Sequence, residues 1–381
     1  MKRITMFLSC QGCGLTCLFA EQAAAFARSQ RLEFAFVSDH REQQEGLLRS
    51  LDRDGLHVDT VRNLDDHSEF LDKARQLATL FEQAGAEVVH AQTNWQLALA
   101  ATARRWTTRR FKILYTVHGF RNSSRVKSPV ARVAIGAALW LTADMVIAPS
   151  SFVQGQFARF CRKSALIYLG VDDRLTSHPR ISPGSHPRTI VFAGQFRPGK
   201  NQAWLIQAAA EYVRRTGDRA VRVALLGDGQ TRAGCMRLAR TLGIEANVDM
   251  PGLCTRAVVL DYYRKASCAV IASNSETFGH CIAEPYVLGI PVLSRPVGIA
   301  RDIIRHGETG WLFNTPTELA DLLVSVLPDE RRLAAVSENS FRRRDLFSWE
   351  RIRRSYEQLI EGLSDSPERS AEQAAPIDQI A

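Results

Sequence analysis

Long apolar runs are missing from this chain of 381 residues. The longest, VAIGAALWLTA, lies between Arg132 and Asp144 and falls well short of the ~20 residues that span a bilayer. The start, MKRITMFLSC, has two basic residues before a short apolar stretch, but a secretory h-region needs ~7–15 apolar residues. A cytoplasmic protein is expected. No acidic pair stands poised for Mg²⁺, although a bare Asp-Asp occurs at Asp172-Asp173. Cys10, Cys13 and Cys17 could open a metal site, yet no further cysteine pair exists to complete one. Cys161, Cys235, Cys254, Cys268 and Cys281 are scattered among apolar residues, as reduced cytosolic thiols usually are.

What is present is ordinary in proportion, with 45% hydrophobic and 23% charged residues, which fits a globular, enzyme-sized protein. The length is large for one core, so two domains are expected. The net charge of +9 is modest, but five cations crowd into RRWTTRRFK and three more into Arg342-Arg343-Arg344. Such clusters suit phosphate-bearing ligands or an anionic membrane face as well as a plain solvated surface. Nucleic-acid binding would rest on charge alone, and none is expected.

Along the first half, RITMFL, LEFAFVS, AEVVHA, FKILYTVH, ADMVIAPS and ALIYLG read as strands separated by helical stretches. That alternation implies a parallel sheet covered by helices. A Pro/Ser-rich stretch, SHPRISPGSHPR at 177–188, reads as a linker. The pattern then restarts with TIVFAG, RVALLG, NVDMPG, CAVIAS, PVLSRP and GWLF. The expected organisation is a first domain over 1–176, a second over 189–346, and a disordered tail over 365–381. In doubly wound sheets, ligands bind beyond the carboxyl ends of the strands. Turns holding Gly12, Gly14, His90, His118, Gly194, Gly227, Gly229 and Glu276 are therefore the ones to interrogate.

The most informative stretch is SNSETFGHCIAEPYVLGIPVLSRPVGIARDIIRHGETGWLF. A helix is expected to begin near Gly279 and end at Leu288, with Gly289 in the left-handed position just beyond. The backbone N–H groups of Phe278, Gly279 and His280 would then be open to a phosphate or sugar oxygen. Glu276 and Glu284 flank that point, and an ionised carboxylate can accept from two neighbouring hydroxyls at once. Taken singly, each could equally be a cap or a solvated helix residue.

With these residues in view, the chain resembles a family-4 retaining glycosyltransferase of the GT-B fold. The hallmark Glu-x7-Glu appears as Glu276-Thr-Phe278-Gly279, then Glu284, followed by Gly289-Ile-Pro291-Val. FAGQFRPGKNQ resembles the family's diphosphate loop, LLGDGQ its GDG element, DMPGL its base-side loop, and HGETGWLF the ending of its second domain. FSWERI resembles the start of its closing helix, which would run over 347–364 and pack back on the first domain. VVHAQ, TVHGF, ADMVIAPS and YLGVD follow in family order in the first half. Departures are Gln195 where arginine is usual, with Arg197 two residues on, Ile299 for the second glycine of V-G-G, and Pro285 for alanine.

The resemblance implies two Rossmann-like α/β domains facing across a cleft, and transfer of a hexose-type sugar from a nucleotide-diphosphate sugar. The acceptor would be a glycan or lipid-linked molecule, as in lipopolysaccharide or other envelope polysaccharide synthesis. The nucleotide sugar is substrate, and no cofactor or metal is implied. By position, Glu284 would hold the ribose, Glu276 the sugar, and Arg197 and Lys200 the diphosphate, while His118 would meet the sugar from the first domain. Gly194, Gly252, Leu253, Phe278, Gly279 and His280 complete the expected donor site. The basic segments 104–112 and 121–132 add an expected contact with the inner face of an anionic membrane.

Other readings are a nucleotide-sugar epimerase on the same fold, a non-catalytic sugar-nucleotide subunit, and a cysteine-based redox or metal protein. The last rests on SCQGCGLTCLF. That stretch follows a strand and leads into a helix, so Gly12 and Gly14 read better as a close-approach turn at the site. His90 reads as structural, and Asp172 as fixing a turn.

Overall fold

The computed structural model describes residues 2–8, 16–40, 58–62, 64, 69–118, 142–157, 163–183 and 187–363. They form two units, one made of residues 1–170 and 349–381 and the other of 171–348. Each is built on its own sheet. The opening cysteine stretch with Gly12 and Gly14, the basic segment 121–132 and the tail 365–381 lie outside the described residues.

In the first unit the strands are β1 (Lys2–Phe7), β2 (Leu32–His40), β3 (Val58–Arg62), β4 (Val88–Ala91), β5 (Lys112–Thr116), β6 (Met145–Ala148) and β7 (Ser164–Leu166). Their order is β3-β2-β1-β4-β5-β6-β7, and every pairing is parallel. A parallel sheet is covered on both faces, so its inner strands are apolar throughout; all four residues of β4 and of β6 are buried. Strand β3 is absent from the sequence reading because it lies at the edge. Its VDTVR holds only two apolar residues, Val58 and Val61, separated by Asp59 and Thr60, and gives no apolar run.

Helices Phe70–Gln83 and Asn94–Ala103 cover one face, where Leu77, Phe81, Leu99 and Ala100 join Phe7, Val89 and Ile113 in one core. On the opposite face the Phe26 ring meets Phe34 at 5.2 Å and Tyr356 at 5.0 Å. Tyr356 comes from the terminal helix Trp349–Gly362, whose buried Trp349, Ile352, Tyr356 and Ile360 form one stripe at helical spacing. Lys2 Nζ caps its end by donating to the carbonyls of Ile360 and Glu361 at 3.0 and 2.9 Å. A cation is favourable there because the last carbonyls of a helix lack partners.

The second unit holds β8 (Thr189–Ala193), β9 (Arg222–Leu226), β10 (Val248–Gly252), β11 (Cys268–Ile271), β12 (Val292–Ser294) and β13 (Trp311–Leu312). Their order is β10-β9-β8-β11-β12-β13, again wholly parallel. The change of unit falls at Gly170–Val171 rather than within 177–188. The reason is hydrogen bonding and burial: Val171 N–H donates to Phe347 O at 3.0 Å, and Ile181, 7% exposed, donates to Leu288 O at 2.9 Å. The proline-rich stretch therefore starts out docked on the second unit. Among the described residues, no helix is long and apolar enough to cross a membrane.

Gly170 ends the first unit's leading segment under the Trp349 indole, where an added Cβ would lie 2.3 Å from a ring carbon. Gly170→Ala is expected to destabilise the protein by about 1–3 kcal/mol through overpacking, read as a lower melting temperature. Gly155→Ala, in helix Ser151–Phe157 with nothing near its Cβ, should raise stability by about 0.5–1 kcal/mol. Equal behaviour of the two variants would contradict this packing.

Candidate functional site

Where strand order reverses in a doubly wound sheet, the flanking loops part and leave a crevice beyond the strand ends. In the second unit the reversal lies between β8 and β11. The loop after β8 contributes Arg197 and Lys200, and the loop after β11 contributes Glu276. Three hydrogen bonds fasten the two loops together. Asn274 N–H donates to Gly199 O at 2.7 Å, and Asn201 Nδ2 donates to Ala272 O at 2.8 Å and Asn274 Oδ1 at 2.7 Å.

The β8 loop is also held from its other side. Gly194 and Phe196 donate to Leu226 and Asp228 at 2.8 and 2.9 Å, and Gly227 donates to Gly252 O at 2.8 Å. At Gly229 φ is +143°, and a Cβ would lie 2.3 Å from Phe196 O. Glycine is therefore required in the GDG element for two loops to stack. Gly194 and Gly252 are brought into one framework, while Leu253 projects outward at 83% exposed.

Lys200 Nζ donates to Glu276 Oε1, with the two side chains only 11% and 10% exposed. Cys281 Sγ donates to the same oxygen at 3.7 Å. Burial alone would lower the Lys200 pKa; the charge of the Glu276 carboxylate and its hydrogen bond oppose that, and the net shift is upward. Lys200 therefore stays an ammonium. Burial, with the Glu276 carboxylate beside it, raises the Cys281 thiol far above its ordinary range, so it remains an S–H donor. Arg197 is exposed and makes no resolved ion pair, but its charge acts against that of Lys200. Two cations thus stand on one loop with a single carboxylate near them, an arrangement that attracts an anion.

Glu276 is placed by close backbone approach from the next crossover. Gly298 has φ +52°, and a Cβ there would lie 2.2 Å from Phe278 O and 3.0 Å from Glu276 Cβ. Ile299, where the family has glycine, is buried, and its N–H donates to Phe278 O at 2.9 Å. The helix that follows runs His280–Val287 behind Gly279 at φ +101°. Ile282 and Ala283 N–H are already taken by Gly279 O at 2.8 and 3.0 Å, so only the N–H groups ahead of Ile282 could meet an anion at this helix start. Pro285 lies inside this helix and cannot donate to the carbonyl of Cys281.

Phe278 is 3% exposed, with its ring against His280 at 4.9 Å and Phe347 at 5.9 Å. Its side chain is core, so only its backbone is on offer to a donor. His280 is held neutral, its pKa lowered to about 4 by burial and then by the charge of Arg256. Arg256 itself bonds Asp172 at 2.6 Å. Asp172 caps helix Asp173–Thr176 and also accepts from Arg174, as expected of a turn-fixing residue. Glu284 neighbours the buried Tyr263, whose phenol is raised well above its usual range by burial and then by that carboxylate.

In the first unit the reversal lies between β1 and β4. His118 follows β5, and its Nε2 bonds Gln92 Oε1 at 2.6 Å, with the Phe19 ring edge-on at 5.2 Å. His90 lies one layer below, 1% exposed, its Nε2 bonded to Thr116 Oγ1 at 2.8 Å. Burial lowers its pKa to about 3, in keeping with a structural histidine. Of the cluster RRWTTRRFK, Arg104 pairs with Asp144 at 2.8 Å, while Arg105, Arg109 and Arg110 are exposed beside Trp106. This segment precedes β5, so it lies at the amino-terminal end of that strand, opposite the end that carries His118, and does not join those residues.

Sequence reasoning missed Cys281, Tyr263, Gly298 and Gln92. Gln92 had a signal, because it directly follows a strand end next to His90. Cys281 and Tyr263 had none beyond helical spacing, which reads as core.

Removing either member of the Lys200–Glu276 pair leaves a nearly buried charge, at a cost of about 3–5 kcal/mol. Lys200→Ala and Glu276→Ala should each lower the melting temperature, and the double variant Lys200→Met/Glu276→Gln should recover much of the loss. Full additivity of the single losses would exclude a direct pair. For His280 the folded pKa, about 4, lies below the unfolded value near 6.5, so the unfolded chain binds the extra proton. Stability from keeping it neutral is complete above pH ~6.5 and is lost as pH falls to ~4. His280→Gln should therefore show a shallower fall in melting temperature over that window than the parent; equal slopes would contradict a buried neutral ring.

Residues 20–175 match the family model described as Glycosyltransferase Family 4, and residues 173–343 match Glycosyl transferases group 1. Among curated relatives, D-inositol 3-phosphate glycosyltransferase of Rhodococcus jostii is 31% identical over 47% of this chain and 41% of its own length. D-inositol 3-phosphate glycosyltransferase 1 of Catenulispora acidiphila is 27% identical over 63% of each. The chain thus spans between about two-fifths and two-thirds of the length of these relatives. Anabaena Alr3699/HepE, solved with UDP and glucose, superposes with a TM-score of 0.75 at 19% identity, over 95% of this chain and 100% of that one. The lipopolysaccharide outer core galactosyltransferase WaaB, in its apo form, gives 0.72 at 18% identity, over 95% and 99%. The fold is GT-B. With its two halves matched in turn by these two models, the chain belongs to the family-4 (group 1) glycosyltransferases.

Proposed function

We propose that the protein transfers a hexose-type sugar, with retention at the anomeric carbon, from a nucleotide-diphosphate sugar to a glycan or lipid-linked acceptor. The observation that carries this reading is the Lys200–Glu276 pair beside the start of helix His280–Val287. A leaving diphosphate gains negative charge as the sugar–phosphate bond breaks. Lys200, Arg197 and the open N–H groups of the helix start would stabilise that charge where it develops. Each charge-assisted hydrogen bond is worth roughly 1.5–3 kcal/mol, so three could supply several powers of ten in rate.

In a retaining transfer the acceptor hydroxyl enters on the face the diphosphate leaves. The new C–O bond forms as the C–O bond to phosphate breaks, and the hydroxyl proton passes to the departing phosphate oxygen. Glu276 would orient the sugar and Glu284 the ribose hydroxyls, while His118 would contact the sugar. These cations supply the charge that a metal would otherwise bring, so transfer is expected to proceed without one. The names of the curated relatives add phosphorylated inositol to the acceptors worth testing.

The test is a thermal-shift panel of UDP-, GDP- and ADP-sugars, followed by turnover with the stabilising donor. One base class should raise the melting temperature, and transfer should persist in EDTA. Lys200→Met/Glu276→Gln, chosen to keep the fold, should lose transfer by at least ~100-fold. Product formed without any acceptor would favour an epimerase, and near-parental turnover in the double variant would overturn the assigned roles.

A further inference from the structure

Gln92 is 1% exposed and stands where three neighbouring strands end. Its Nε2 donates to the carbonyl of Phe7, the last residue of β1, at 3.0 Å, and to Gln22 Oε1 at 3.2 Å. A carbonyl oxygen can only accept, so the first contact fixes which end of the Gln92 amide is nitrogen. Both amide hydrogens are then committed, and Oε1 is left pointing at His118 Nε2, 2.6 Å away. That oxygen cannot donate. The Gln92 backbone is held in turn, its N–H donating to Gln96 Oε1 at 2.9 Å. Nothing in this chain of contacts can reverse without leaving a buried amide facing a like partner, at a cost of about 1–3 kcal/mol.

We infer that Gln92 is a positioning residue that locks the His118 imidazole in its Nε2–H tautomer, making Nδ1 the acceptor of the neutral ring. The Phe19 edge at 5.2 Å keeps the ring plane from turning. The bare nitrogen of a neutral imidazole accepts a hydrogen bond and cannot donate one. A sugar hydroxyl donates; a phosphate oxygen does not. His118 is thereby selective for the hydroxyl-bearing part of a donor rather than its anionic part. This use of the lock rests on the proposed sugar contact of His118, whereas the lock itself rests only on the first unit.

The experiment is long-range ¹H–¹⁵N correlation NMR of the ¹⁵N-histidine-labelled protein without ligand, with the His118 signals assigned by their loss in His118→Asn. Above the ring's pKa the parent should show protonated Nε2 and bare Nδ1. Gln92→Leu should give a tautomer mixture, and Gln92→Glu, which keeps an acceptor facing the ring, should keep Nε2–H and titrate at higher pH. With a nucleotide sugar that supports transfer, Gln92→Leu should lose about 10- to 100-fold in kcat/KM, and Gln92→Glu should lose less. An Nδ1–H ring in the parent overturns the inference even if Gln92→Leu does not fold, as does an unchanged spectrum in a folded Gln92→Leu. The expected spectra without transfer from any nucleotide sugar would support the lock and sink only the sugar-transfer reading.

Discussion

The ion pair between Lys200 and Glu276 is the constraint around which the second unit's crest is arranged. A lysine and a glutamate this far from water are tolerable only together, so the two loops that carry them must meet. Their meeting requires the β8 and β11 loops to be joined through Asn201 and Asn274. It also requires the GDG turn to stack on one loop and Gly298 to approach the other. What looks in sequence like several separate motifs is, physically, a set of supports for one pair of charges.

That pair is unbalanced by design of the surroundings. Lys200 and the thiol of Cys281 both direct hydrogens at the same Glu276 oxygen, and a carboxylate's second oxygen can accept as well. Arg197 adds a second positive charge, and the helix start adds backbone donors. The local field favours an anion, while the carboxylate favours hydroxyls. A nucleotide-diphosphate sugar brings both kinds of group a short distance apart. The strand ends of the first unit, taken by themselves, carry chemistry of another kind: neutral amides and imidazoles, with the burial that depresses the pKa of His90 keeping that ring uncharged.

Much of the second unit's crest was legible because its glycines, prolines and paired glutamates carry backbone and charge information that survives in a linear string. Parallel, helix-covered sheets followed from alternation, and the roles expected of Lys200 and Glu276 came from the family resemblance. Strand β3 was not legible, since an edge strand whose two valines are separated by Asp59 and Thr60 has no apolar run to betray it. Phe278 was read for its backbone N–H at the helix start, and what the sequence did not show is that its ring is core. Gln92 and Cys281 were passed over because their significance is directional. Only coordinates show which atom of an amide faces a histidine, or which carboxylate oxygen a thiol shares with an ammonium. The linker at 177–188 was misplaced for a related reason, since composition cannot show that Ile181 docks on the second unit.

The central claim is that the crevice between the β8 and β11 loops receives a nucleoside diphosphate. A crystal structure with such a ligand measures this most directly. The claim predicts phosphate oxygens within hydrogen-bond distance of Lys200 Nζ and of the backbone N–H groups at 278–280, with the ribose hydroxyls on Glu284. A diphosphate bound elsewhere, with Lys200 and Glu276 still paired and untouched, would contradict it.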